Sequence, residues 1–206
     1  MLDGGFPDTS QAVPASFMQN TVTREHRERL DKVLQEHGFR RVPVLGDGDC
    51  LFSSVSYIIS HKLLYDKFSD GYKTFLRDHD VLLEGSLALQ LRRVAVRELV
   101  DNYLEYKDFT TGLSPVEYRT KVSELANAGT YAGDMGDFLI AGLSTALRVT
   151  FNVISSHGEV PFHEILPRSG QYLQMEPLTL AYTACGPGHY DATKPFTEAN
   201  TQSGGG

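Results

Sequence analysis

The 206-residue chain holds only two cysteines, Cys50 and Cys185. That is too few for a disulfide framework or a cysteine-based zinc site, and it fits a reducing compartment inside the cell, the cytoplasm or a host's cytosol. No stretch reaches roughly 18 uninterrupted apolar residues, and Met1 to Pro7 has neither a basic region nor the apolar run of a leader. A soluble protein with no membrane partner is expected. Positive charge is also short: 19 Lys and Arg against 26 Asp and Glu leave a formal charge of -7, which argues against a sequence-independent grip on nucleic acid. There are no internal repeats. No His or Cys spacing suggests a metal, and no cofactor is expected.

What is present suffices for one compact domain: 41% of residues are hydrophobic and 10% aromatic. Residues 1-19 read as a loosely ordered lead-in, 20-197 as a single domain and 198-206 as a flexible tail ending in three glycines. A monomer is expected. A helix is predicted from Thr21, with Thr23 as a cap, a narrow stripe of Leu30, Val33 and Leu34, and a stop at Gly38. Phe39 to Leu45 reads as an extended approach to Gly46-Asp47-Gly48-Asp49-Cys50. Leu51, Phe52, Val55, Ile58 and Ile59 then recur at helical spacing. The interval from His61 to Glu84 is mixed, with a short helix around Tyr72, Phe75 and Leu76.

The longest periodic run starts at Ser86 and predicts a helix to about Glu105, with Leu87, Leu91, Val94, Ala95, Leu99 and Tyr103 inward and Arg92, Arg93 and Arg97 largely elsewhere. Ser114-Pro115-Val116-Glu117 is a capping box with proline at the first helical position. A glycine-acid turn, Tyr131 to Asp137, feeds a helix with Phe138, Leu139, Leu143 and Leu147 toward the core. Strands are expected over Val149 to Ile154, Val160 to Ile165 and, as the last, Leu178 to Thr183.

Cys50 lies where a glycine-acid loop enters a helix. The positive end of the helix dipole and unpaired backbone N-H groups there favour a thiolate. The N-H groups of Gly48, Asp49 and Cys50 are also placed to stabilise an oxyanion. A cysteine nucleophile needs a base that later acts as acid, and histidine suits that role. Of seven histidines, His189 stands apart: it follows Gly186-Pro187-Gly188 at the end of a predicted strand, with Asp191 two residues on. In an extended segment those two side chains share a face, so Asp191 can orient the His189 ring while Tyr190 points away or shapes the groove. From residue types alone, a lone cysteine packed as core filler is the competing reading. Cys185 lacks the loop-then-helix setting and reads as a packing residue.

Gly46-Asp47-Gly48-Asp49-Cys50-Leu51-Phe52 resembles the signature of the ovarian tumour (OTU) domain cysteine proteases, and Gly188-His189-Tyr190-Asp191 resembles their C-terminal histidine motif. Tyr131-Ala132-Gly133-Asp134 with the following helix is similar to the family's middle block, and the three blocks occur in the family's order between about Arg41 and Phe196. The resemblance implies an α+β, papain-like fold with a small central β-sheet packed between helices. It makes Cys50 the nucleophile, His189 the base and then acid, Asp191 the orienting carboxylate and Asp47 a support of the active-site loop.

The implied activity is hydrolysis of the bond after the C-terminal Gly-Gly of ubiquitin through a thioester. The implied partner is ubiquitin or polyubiquitin, or another ubiquitin-like modifier, with Gly186, Gly188 and Tyr190 shaping a narrow channel for its tail. Two alternatives stand beside a deubiquitinase: a catalytically restrained ubiquitin-binding module, and an OTU-like protease for another modifier or for a viral or transposon polyprotein. Asp49 replaces the family's frequent asparagine, and Ala132 with Asp134 varies its usual glycine-glycine-acid arrangement. A negative charge at Asp49 is expected to oppose thiolate formation beside it.

Overall fold

The structure is a computed structural model and describes residues 15-110, 112-130, 136-168, 173 and 175-196. The middle-block turn at 131-135 lies outside the described residues. Among those described, seven α-helices surround one five-stranded sheet in the order β1-β5-β4-β2-β3. The strands are β1 (Phe39–Val42), β2 (Phe151–Ser155), β3 (Phe162–Ile165), β4 (Leu178–Thr183) and β5 (His189–Pro195). β2 and β4 run parallel, and every other pairing is antiparallel. This is the α+β arrangement expected, with helices on both faces of the sheet.

Alternation along the strands assigns the faces. Ile154 and Ala181 pack with Leu30 and Leu34 of α1 (Ala15–Glu36) in a small cluster. Val153, Leu178, Leu180 and Ala192 point the other way into the main core, which is built by α2 (Cys50–Leu64), α4 (Leu87–Asp101) and α7 (Gly136–Leu147). In α2, Leu51, Phe52, Val55, Ile58 and Ile59 are all buried, as their spacing predicts. In α7, Leu139, Leu143 and Leu147 do the same. Gly142 lets α7 approach α4 closely: a Cβ there would meet Leu99 Cγ at 2.8 Å.

The remaining helices are α3 (Asp70–Asp78), α5 (Tyr103–Tyr106) and α6 (Pro115–Glu124). At α6 both halves of the capping box form: the Ser114 hydroxyl accepts from Glu117 N-H, and the Glu117 carboxylate accepts from Ser114 N-H. Four expectations need correction. α1 reaches back to Ala15, so Thr23 lies inside the helix and does not cap it. The long helix stops at Asp101, and Tyr103 opens the separate α5. Leu178–Thr183 is not the last strand; the polar run His189–Pro195 forms β5, inserted between β1 and β4, where it lacks the continuous apolar pattern of a central strand. Finally, Arg92, read with Arg93 and Arg97 as lying largely off the inward side, is fully buried.

Candidate active site

Cys50 is the first residue of α2, and the hairpin from β4 to β5 brings His189 to it across 139 residues of chain. The His189 ring hydrogen-bonds to the Cys50 thiol, and backbone N-H groups of Tyr190 and Leu51 donate to the sulfur. Burial pushes the Cys50 thiol up, but these three donors outweigh it and hold the thiol below its ordinary value. The Leu51 donor is an unpaired N-H of the helix start, the contribution expected of that position.

His189 Nε2 lies 3.0 Å from Asp191 Oδ1, which leaves Nδ1 as the nitrogen for the thiol. The geometry follows from strand parity: His189 and Asp191 point to the α1 face of β5. Tyr190 points to the opposite face, where its ring packs on Tyr182 with centroids 4.8 Å apart. Hydrogen bonds to Asp191 and then to Cys50 raise the His189 pKa to about 9 against the opposing effect of burial. Thiol and imidazole are therefore shifted toward each other, the direction that favours a thiolate–imidazolium pair.

Asp191 is 2% exposed, and burial pushes its carboxyl up, yet His189, the Val44 N-H and Arg41 together hold it below the usual carboxylate range. Val44 N-H donates to Oδ1 at 3.0 Å, and Arg41 Nη1 donates to Oδ2 at 3.1 Å. Arg41 is itself gripped by Asp31 of α1, with Nε–Oδ1 at 2.7 Å and Nη2–Oδ2 at 3.0 Å. Asp31 first, then Asp191, raise the guanidinium's pKa further above its ordinary value. Sequence reasoning missed Arg41. It sits on an edge strand, and only the pairing of β1 with β5 brings it beside Asp191.

A cleft of about 540 Å³ opens over Cys50 and His189. Gly46, Gly48, Gly186 and Gly188 line it, as do Thr23 and Arg27, so α1 forms one wall. Gly186 and Gly188, read as channel residues, are among the cleft's lining. The Tyr190 ring does not; Tyr190 reaches the site through its backbone N-H. Gly188 has φ +76°, and a Cβ there would lie 2.2 Å from Tyr182 Oη. Cys185 lines the same cleft with its Sγ 3.7 Å from Thr23 Oγ1.

Within the Gly46–Cys50 loop, Asp47 Oδ1 accepts the Asp49 N-H at 3.1 Å. Asp47 thus bonds the loop backbone, and of the three N-H groups read as an oxyanion hole, that of Asp49 is engaged in this state. The Asp49 side chain does not cap α2. It turns to Arg92, whose Nη2 lies 2.6 Å and Nε 2.8 Å from Oδ1, while Oδ2 accepts the Gly129 N-H at 2.8 Å. Asp49 was expected to oppose thiolate formation. Instead its charge is matched by a buried cation, and the thiol stays low.

Among the described residues, no group of three or more His, Cys, Asp or Glu is arranged to hold a metal ion, and no helix is long and apolar enough to cross a membrane.

No protein-family model matches the sequence. The chain is 26% identical over 130 residues to a protein named putative ubiquitin thioesterase L96 from Tipula iridescent virus; that region is 61% of this chain and 13% of the viral protein. The fold superimposes on the OTU domain of OTUD1 with a TM-score of 0.55 at 20% identity, covering 85% of this chain and 98% of the other. A structure of OTUB1 with ubiquitin aldehyde and UBCH5B~Ub gives a TM-score of 0.40 at 19% identity, over 89% of this chain and 67% of that one. With a mixed sheet between helices, and Cys50 and His189 together in its cleft, the chain has the fold of an OTU domain.

Proposed function

We propose that the protein is a deubiquitinase, a cysteine-dependent isopeptidase that cleaves after the C-terminal Gly-Gly of ubiquitin. The observation that carries this reading is the linked set of Cys50, His189 and Asp191 at the mouth of an OTU-type cleft walled by glycines. In the first half-reaction the Cys50 thiolate adds to the carbonyl carbon of the terminal glycine. The oxyanion collapses, the C-N bond breaks, and His189 gives its proton to the departing lysine amine. In the second, His189 takes a proton from water, the resulting hydroxide attacks the thioester, and the Cys50 sulfur leaves as thiolate. Asp191 keeps the imidazole in the required orientation and stabilises its cationic form.

Glycine walls suit a tail whose last residues carry no side chains, since such a tail passes where a Cβ would meet the wall. The similarity to a protein named as a ubiquitin thioesterase supports ubiquitin as the partner. A single-chain enzyme working inside the cell fits two unpaired cysteines, one of them the nucleophile. The test is turnover of a ubiquitin C-terminal fluorogenic amide. The wild type should release fluorophore and Cys50→Ala should not; equal rates in the two would refute the reading.

A further inference from the structure

Arg92 has the largest fully buried side chain among the described residues. An unpaired guanidinium in that position would cost several kcal/mol, so its partners are informative. Besides the two contacts to Asp49 Oδ1, Nη2 donates to the Gly48 carbonyl at 2.7 Å, and Nη1 donates to the Leu125 carbonyl at 2.7 Å and the Thr130 carbonyl at 3.2 Å. The guanidinium also lies over the Phe52 ring, 4.6 Å from its centroid. One side chain of α4 therefore holds both the loop that carries the nucleophile and the 125–130 segment packed against it.

The two segments are also in direct contact. Gly48 has φ +88°, and a Cβ on it would lie 2.3 Å from the Gly129 carbonyl oxygen. Asp49 closes the same joint from the other side by accepting the Gly129 N-H. Its two oxygens take three N-H donors coming from two directions. An asparagine in its place would turn its amide NH2 toward either Arg92 or Gly129, donor against donor.

We propose that Arg92 and Asp49 form a positioning pair that fixes the two adjoining loops of the cleft and cancels, beside the thiol, a carboxylate charge that would otherwise suppress it. Neither side chain touches the reacting atoms, so both act through Cys50 and the loop that carries it. The inference rests on the reading of Cys50 as the nucleophile, but its test needs no ubiquitin. The charged and titratable groups around the thiol are His189 of β5, backed by Asp191; Asp47 and Asp49 of the loop; Arg92 of α4; Arg27 of α1; and Cys185 of the β4-β5 turn.

The experiment is the pH dependence of iodoacetamide alkylation of the full chain, followed at the Cys50 peptide by mass spectrometry. Arg92→Gln uncovers the Asp49 charge and should raise the alkylation midpoint by about one pH unit. Asp49→Asn uncovers the Arg92 charge and should move the midpoint the opposite way. The double variant Arg92→Gln/Asp49→Asn should return it close to the wild-type value. A merely structural role predicts shifts of one sign with no restoration, and that pattern, or an unmoved midpoint in both single variants, would overturn the proposal. If Arg92→Gln does not fold, the sign of the Asp49→Asn shift decides: downward supports the pair, and upward or none refutes it. Failure of the ubiquitin assay with these alkylation shifts intact would refute the substrate and leave the pair standing.

Discussion

Arg41 and His189 hold opposite oxygens of one carboxylate: His189 Nε2 lies 3.0 Å from Asp191 Oδ1, and Arg41 Nη1 lies 3.1 Å from Asp191 Oδ2. A carboxylate gripped on both sides cannot rotate away from the imidazole. Arg41→Gln should therefore lower kcat about tenfold with KM nearly unchanged, the split expected when positioning and not substrate binding is lost. Asp31, half exposed at the far end of this chain of charges, contributes less, and Asp31→Asn should change kcat by less than about threefold. Steady-state kinetics on the fluorogenic amide check both values.

The shifted thiol and imidazole define a pH profile. Below the depressed Cys50 pKa the sulfur is protonated and kcat/KM falls with decreasing pH. Above the His189 pKa, near 9, the imidazole is neutral and cannot protonate the leaving amine, so activity falls again. The profile should be a bell whose alkaline limb is centred near pH 9 and whose acid limb lies below the normal thiol range. His189→Ala should move the Cys50 alkylation midpoint upward, because the ring is the strongest of the donors that lower it.

Asp191 makes stability pH-dependent as well. Its folded pKa is depressed, so its contribution is present above the unfolded carboxyl value and is lost as pH falls through the folded one. Asp191→Asn should flatten the acid side of a plot of melting temperature against pH relative to wild type.

Gly48→Ala tests the joint between the two loops. Positive φ and a Cβ placed 2.3 Å from a backbone oxygen leave no relaxed position, and the expected loss is about 1–3 kcal/mol of stability. Thermal unfolding should show a lower midpoint, with alkylation of Cys50 altered in the same variant. Gly46→Ala makes only ordinary contact with the His189 ring, at 3.5 Å, and should be far milder.

Much of the site was legible in the sequence because it is locally encoded. A cysteine between a glycine-acid loop and an apolar helix, and a histidine two residues before an acid in an extended run, imply their own geometry. The missing parts are non-local. Arg41 acts across the β1-β5 pairing, Asp49 meets a partner 43 residues away, and Thr23 and Arg27 become cleft wall only once α1 lies over the sheet. β5 was missed because its residues are chosen for the site and not for apolar alternation. Arg92 did leave a trace: Ala88, Arg92, Ala95 and Leu99 fall on one stripe of α4, so an arginine that was read as lying largely off the inward side shares a stripe with core residues.

The most direct measurement is reaction of the protein with ubiquitin bearing a C-terminal electrophile, followed by intact-mass and peptide analysis. The account predicts one ubiquitin added per chain, attached at Cys50, lost in Cys50→Ala and strongly slowed in His189→Ala. No adduct with the wild type, or an undiminished adduct with Cys50→Ala, would contradict it.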